Sequence, residues 1–427
     1  MGTIAFGGRM RVILSRDECK LEVGLSLEKR RWLVIAAGIA ANACMGAGYA
    51  FSVFKKPLIE VLNCTPQQAT LAYSLSFAFL PAGMLLGGLI SRRWSPRLAV
   101  VIGGMIFGLG VIAAGFARSV YVLYVTYGFM VSVGNGIVYA TVIAVAVRWF
   151  PDRKGLASGT VVAALGAGTV IIARLGQSLV TSIGVQDTLK WLGMGFLTAA
   201  LIASRFIADP PKDYAPPGWS APATELGAQG GNDVGWREML TKPVFWVLFA
   251  MYVCGAAPGL LLIGQAKEVA VDLTKLGEVA AASMVGVLGG VANATGRLAW
   301  GAVSDRIGRL NALTAMLALT GLTMLAMPQI APTRQGLWVS FVLIGLCYGG
   351  TLGTFPSMCA DRFGSRNMEV NYALLFVAFG LAGILGPWFG AHLKAATGGY
   401  TGGFIFAAAL AGIGLALSLT LRLRRGT

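Results

Sequence analysis

Charge is what this chain has least of. Asp, Glu, Lys and Arg make up 12% of its 427 residues, hydrophobic residues make up 56%, and its mean hydropathy is +0.72. A soluble domain covers itself with roughly a quarter charged residues, so a water-soluble fold is excluded. Histidine occurs once, and the six cysteines (Cys19, Cys44, Cys64, Cys254, Cys347 and Cys359) have no CxxC spacing. Without a His/Cys/Asp/Glu cluster, no metal and no cofactor are expected, and the cysteines read as small buried hydrophobes. The same lack argues against a membrane-embedded enzyme. The first 28 residues carry charges of both signs and no apolar core, which excludes a signal peptide.

What is present is a series of apolar runs. They cover 32–54, 67–90, 98–117, 119–147, 155–184, 191–208, 244–266, 279–303, 310–332, 335–360, 370–393 and 400–421. A bilayer-crossing helix needs roughly 20 mainly apolar residues. The expected class is therefore an all-α polytopic membrane protein with twelve transmembrane helices. A barrel is excluded because the runs are continuous and do not alternate with period two. Many of the 59 glycines lie inside the runs, among them Gly83, Gly87, Gly286 and Gly289. In lipid such residues let helices pack closely.

Residues 209–243, beginning DPPKDYAPPGW, interrupt the series with Pro- and Gly-rich polar sequence typical of a connector. The chain thus divides into a segment 1–31, a six-helix bundle 32–208, the linker 209–243, a second bundle 244–421 and a tail 422–427. The net charge of +16 orients the protein. With the N-terminus inside, inner segments hold 24 of the 34 Lys and Arg residues and outer loops hold 8. That asymmetry predicts an inner (plasma) membrane protein with both termini cytoplasmic. The partners are then membrane lipid and a small solute, with no role for nucleic acid, and nothing requires more than a monomer. The halves carry corresponding inner turns: GLISRRWSPRLA from Gly88 and GAVSDRIGRLN from Gly301, RWFPDRKGLASG (148–159) and CADRFGSRNMEVNY (359–372). Duplicated six-helix halves are one solution to alternating access, rocking about a site near the midplane.

Two cations lie well inside the runs. Arg297 is eight residues before Asp305, about 12 Å from that end of its helix. A charge at a helix centre costs roughly 2.5–3.5 kcal/mol. No Asp or Glu lies in any run, so a structural ion pair lacks a partner, and the guanidinium reads as counter-charge to an anion. Its planar fork suits a carboxylate. Asn293, at i−4, shares its face. Arg174 sits in the outer half of its run and reads equally as an outer-vestibule cation or as a side chain reaching out to water.

The turn GAVSDRIGR resembles the helix 2–3 and helix 8–9 signature of the major facilitator superfamily. RWFPDRKGLASG, together with the segment ending in Arg297 and SDRIGR, resembles its oxalate–formate antiporter branch, which is related to lactate and pyruvate carriers. The resemblance spans all twelve runs and implies the six-plus-six fold. It also implies that Arg297 stands where those carriers hold a carboxylate. Helices 1, 4, 7 and 10 should line the cavity, which brings in Tyr49, Asn135, Tyr139, Tyr252 and Tyr348; Tyr139 and Tyr348 match aromatic groups that flank substrate in related carriers. Each tyrosine reads equally as an interhelical hydrogen bond or an interfacial anchor.

Three departures follow from that comparison. Oxalate carriers have a Lys eight residues after the Asn of an Asn-Tyr pair; here the pair is Asn371-Tyr372 and the eighth residue is Phe379. Leu352 stands where they have a Tyr. In the first-half turn Arg92 replaces the usual acid, leaving Arg92, Arg93 and Arg97 without a local carboxylate. In the second half Asp305 can pair with Arg306 or Arg309, as a gating loop near a helix terminus.

The expected function is secondary transport of small monocarboxylates such as lactate or pyruvate by alternating access, with a proton as the expected coupling ion. A proton site is open among Glu268, Asp272, His392 and the substrate itself; an imidazole titrates in the right range. An oxalate/formate-type or aromatic-carboxylate exchanger is the alternative. A non-transporting sensor on the same fold is the alternative of another class, and would call for a large soluble output segment.

Overall fold

The computed structural model describes residues 27–46, 51–211, 214–216, 233–275 and 287–423. The first group of helices is α1 (Leu27–Met45), α2 (Phe51–Leu62), α3 (Pro66–Ala78), α4 (Leu80–Arg93), α5 (Pro96–Ala114), α6 (Val120–Leu123), α7 (Val131–Trp149) and α8 (Lys154–Ser204). A short α9 (Trp236–Thr241) leads to the second group: α10 (Pro243–Thr274), α11 (Asn293–Ile307), α12 (Arg309–Ile330), α13 (Arg334–Phe363), α14 (Met368–Thr397) and α15 (Thr401–Leu423). Two π-helical turns, Tyr124–Met130 and Val287–Ala292, lead directly into α7 and α11.

Among the described residues, eight helices are long and apolar enough to cross a membrane. The expectation was twelve separate helices, and the difference has local causes. The fifth run and most of the sixth lie in α8, which is two helices meeting at Gly184, where φ is +79°. Only a glycine adopts that conformation without cost. The second run is divided at Phe79, ahead of Pro81, whose missing N–H weakens the helix there. Residues 47–50 of the first run and the start of the eighth lie outside the described residues. Elsewhere the boundaries follow ordinary capping. The Ser95 hydroxyl accepts the Leu98 N–H at the head of α5, and Thr333 accepts the Gly336 N–H at the head of α13.

The pairings of the first group recur in the second. α1 packs on α8, α4 on α7 and α5 on α8; α10 packs on α14, α11 on α13 and α12 on α15. Between groups, α11 lies against α8 and α14 against α4. Apolar side chains also cover the outside, including Leu89, Ile171, Ile202, Leu322 and Ile384. Such a surface is stable against hydrocarbon and costly against water.

Close approach within a group depends on glycine. A Cβ on Gly134 of α7 would stand 2.5 Å from the Phe107 nitrogen of α5 and 2.8 Å from its Cα, backbone atoms that cannot step aside. Gly134→Val is expected to lower stability by about 3 kcal/mol, read as a drop in the thermal unfolding midpoint of the purified protein. An unchanged midpoint would mean that α5 and α7 do not touch here.

Candidate functional site

Arg297 lies one turn into α11, immediately after the π-helical turn, and is 6% exposed. Turns of that kind concentrate at functional sites. Its Nε donates to Asn293 Oδ1 at 3.0 Å, and its Nη1 donates to the Val162 carbonyl of α8 at 2.7 Å. The i, i+4 pairing read from the sequence is therefore made. The second bond crosses between the two groups of helices. The backbone of Arg297 is held just as closely: a Cβ on Gly159 of α8 would collide with its carbonyl, and one on Gly353 of α13 would stand 2.7 Å from the same oxygen. A long charged side chain is thereby fixed at its root as well as its tip.

A small cavity of about 20 Å³ lies against this guanidinium. That is room for about one water, so its wall must move to admit a three-carbon acid. Asn135, Tyr139, Leu352, Phe376 and Phe379 line it with Arg297. Among the described residues lining it, Arg297 is the one charged group. Asn135 is 3% exposed, and its Oδ1 meets no hydrogen-bond donor. A buried acceptor left open beside a cation is an available partner for a ligand hydroxyl. Phe376 stacks on Phe379 at 4.9 Å between ring centroids, and Tyr139 tilts against Phe376 at 5.8 Å.

The remaining sequence-predicted residues are placed as follows. Tyr348 is buried against Gly259 of α10 and is not among the lining residues. Tyr252 is fully buried, stacked on Phe355 at 4.0 Å, its hydroxyl 3.4 Å from that of Tyr372. Tyr49 lies outside the described residues. Arg174 is exposed on α8, and Glu268 is exposed on α10. His392 is exposed and stacked on Trp388. Asp272 accepts from the Tyr400 hydroxyl and from Lys394, and those two contacts hold its carboxyl below the usual range. A carboxylate with a lowered pKa stays ionised through neutral pH, which makes Asp272 a poor proton carrier.

The turn between α11 and α12 does more than pair with itself. Asp305 accepts the Gly155 and Leu156 N–H groups, each at 2.8 Å, and so caps α8 of the other group. Arg309 pairs with Asp305 at 2.6 Å and with Asp361 at 3.1 Å, and Lys154 reaches Asp361 at 2.8 Å. Arg306 is exposed.

Sequence reasoning missed Glu369, which stands one residue before an apolar run and is 4% exposed in the first turn of α14. It pairs with Arg148 at 2.8 Å and accepts from the Ser91 hydroxyl at 3.2 Å. Arg148 also holds Asp209 at 2.7 Å. It missed Leu80, Leu165 and Phe376 as well, because apolar side chains in apolar helices give no contrast. The expected connector is anchored where it is described. Trp149 Nε1 donates to the Ala208 carbonyl, Tyr214 packs on Trp149, and the Asn367 and Asn371 amides hold the Val234 carbonyl.

The model of the Major Facilitator Superfamily matches residues 37–387 and 269–427. The chain belongs to that superfamily. It is 28% identical over 402 residues to the oxalate:formate antiporter of Oxalobacter formigenes, covering 93% of this chain and 92% of the relative. It is 26% identical over 397 residues to monocarboxylate transporter 11 of Mus musculus, covering 88% and 83%. The crystal structure of the superfamily transporter FucP in the outward conformation superposes with a TM-score of 0.70 at 12% identity, over 92% of this chain and 99% of that one. As a member of this superfamily the protein is a multi-pass secondary transporter working by alternating access, and not an enzyme.

For such a transporter the Arg148–Glu369 pair is an inter-group contact that has two unequal ends. Removing Arg148 strands a buried carboxylate, which costs about 3 kcal/mol. Neutralising Glu369 leaves Arg148 with Asp209. Arg148→Ala is therefore expected to lower the unfolding midpoint clearly more than Glu369→Gln, and equal losses would contradict the shared-arginine arrangement.

Proposed function

We propose that the protein is a twelve-helix, six-plus-six carrier of small monocarboxylates, of the lactate or pyruvate kind, with both termini cytoplasmic and a proton as coupling ion. The observation that carries this reading is the composition of the cavity: one guanidinium, one open amide oxygen, one phenol and otherwise apolar wall. A single carboxylate takes the Arg297 fork, a 2-hydroxy or keto oxygen has Asn135 and Tyr139 within the same wall, and Phe379 with Phe376 receives a short apolar tail. The recurring helix pairings support the six-plus-six arrangement. The relatives named for monocarboxylate and for oxalate–formate transport support the solute class. Substrate entry would exchange the Val162 carbonyl for a carboxylate on Arg297. Asp305, Arg309 and Glu369 form the gate on the basic face, which must part for release there.

Exchange of oxalate for formate is the second reading, favoured by similarity along nearly the whole chain to an antiporter of that kind. A dicarboxylate asks for two cations, and Phe379 occupies the wall where the second would serve.

Radiolabelled lactate uptake into proteoliposomes separates these. Uptake driven by an inward proton gradient supports symport, and uptake stimulated only by internal carboxylate means exchange. Arg297→Ala should reduce uptake roughly 100-fold, the equivalent of about 3 kcal/mol for a charge-assisted fork. Arg297→Lys should recover little of it, because a point charge does not replace a planar fork. Wild-type rates in either variant would sink the assignment. Phe379→Lys should shift preference towards oxalate by about tenfold; an unshifted preference would remove the argument against a dicarboxylate.

A further inference from the structure

α5 and the last part of α8 lie side by side on the outside of the first group. Their outward faces carry exposed Met105, Leu109, Met194 and Ile202, a surface suited to lipid. At the end of these helices that carries the basic turns there is a groove of about 510 Å³. Arg97, the second residue of α5, and Arg205, the first residue after α8, both line it, with Val101, Leu201, Ile202 and Phe206. Trp94, 62% exposed, stands just before α5, where aromatic side chains mark a membrane–water boundary.

Arg148, Lys154 and Arg309 on the same face each hold a carboxylate, whereas Arg97 and Arg205 are exposed and make no ion pair among the described residues. Two uncompensated cations beside an apolar groove open to the bilayer match one chemistry: a phosphate with an acyl chain attached. A free anion would satisfy the arginines and leave the apolar wall unfilled.

We propose that this groove binds an anionic phospholipid of the leaflet on the basic face, its phosphate held by Arg97 and Arg205 and one chain lying along Val101, Leu201 and Ile202. Each arginine near an anionic leaflet contributes about a fivefold gain in binding. Together they should favour phosphatidylglycerol over phosphatidylcholine by roughly 30-fold.

The test is native mass spectrometry of the purified full chain, which counts lipid adducts on folded protein only. Wild type titrated with phosphatidylglycerol and phosphatidylcholine should retain the first selectively. The Arg97→Gln/Arg205→Gln variant should lose that selectivity, and Arg92→Gln/Arg93→Gln, which removes neighbouring charge of the same sign outside the groove, should keep it. Val101→Trp, which fills the groove without touching charge, should weaken retention as well. Equal retention of the two lipids by wild type would overturn the proposal. So would selectivity that survives Arg97→Gln/Arg205→Gln, or falls equally with Arg92→Gln/Arg93→Gln. Displacement of the lipid by an equal concentration of inorganic phosphate would make this an anion site, and would overturn the lipid assignment.

Discussion

A permanent cation buried between two groups of helices is the constraint around which the rest is arranged. Arg297 cannot shed its charge, and in lipid-like surroundings a bare guanidinium is prohibitive. The protein meets that cost with oxygen atoms that carry no full charge: an amide one turn back and a main-chain carbonyl across the interface. A carboxylate in their place would neutralise the site permanently and leave nothing for an anion to bind. Neutral acceptors are enough to hold the side chain and too weak to compete with a charged ligand. The glycines at 159 and 353 serve the same end, because only helices in backbone contact can bring the Val162 carbonyl within reach.

The polar contacts on the basic side of that cavity follow a different rule, since the proposed transport cycle would make and break them. Here full ion pairs are used. Buried pairs of this kind gain little net free energy, because hydration lost on closing nearly equals the attraction gained. That near-balance is what a gate needs: specific when shut, cheap to open. In both of the proposed gates the acid belongs to the second group and the positive end to the first. In one, Asp305 on α11 caps the start of α8; in the other, the acid is Glu369 at the start of α14 and the cation is Arg148 on α7. Asp209, on the same group as Arg148, gives that arginine a partner that is kept when the groups separate.

Much of this was legible in the sequence, for reasons that also explain what was not. Arg297 and Asn293 stood out because a charge and an amide contrast with an apolar run, and their i, i+4 spacing specifies a shared face before any tertiary structure is known. Phe379 and Leu352 were legible only against a pattern, as residues standing where a related protein has others. Phe376, Leu80 and Leu165 carry no contrast at all; only packing decides which apolar side chain meets a cavity. Glu369 was hidden by a boundary, since a scan of runs places it in a loop while the helix begins one residue earlier and buries it. Tyr348 shows the opposite case: the pattern places it in the wall, and Gly259 opposite draws its ring into the helix interface.

The supply of both acids by the second group also explains the charge left at the first-half turn. In the second half, a turn arginine is consumed internally: Arg309 holds both Asp305 and Asp361. In the first half the carboxylate comes from α14 and is taken by Arg148 and Ser91, and the turn's own Arg92, Arg93 and Arg97 make no ion pair among the described residues. Arg93 lies over the Trp94 ring, and all three are exposed. Cations freed from internal pairing at a membrane boundary remain hydrated or meet anionic headgroups, and the second costs less when an apolar groove lies alongside. With that carboxylate supplied by α14, Arg148 is shared between Glu369 and Asp209 and the first-half turn keeps a basic edge.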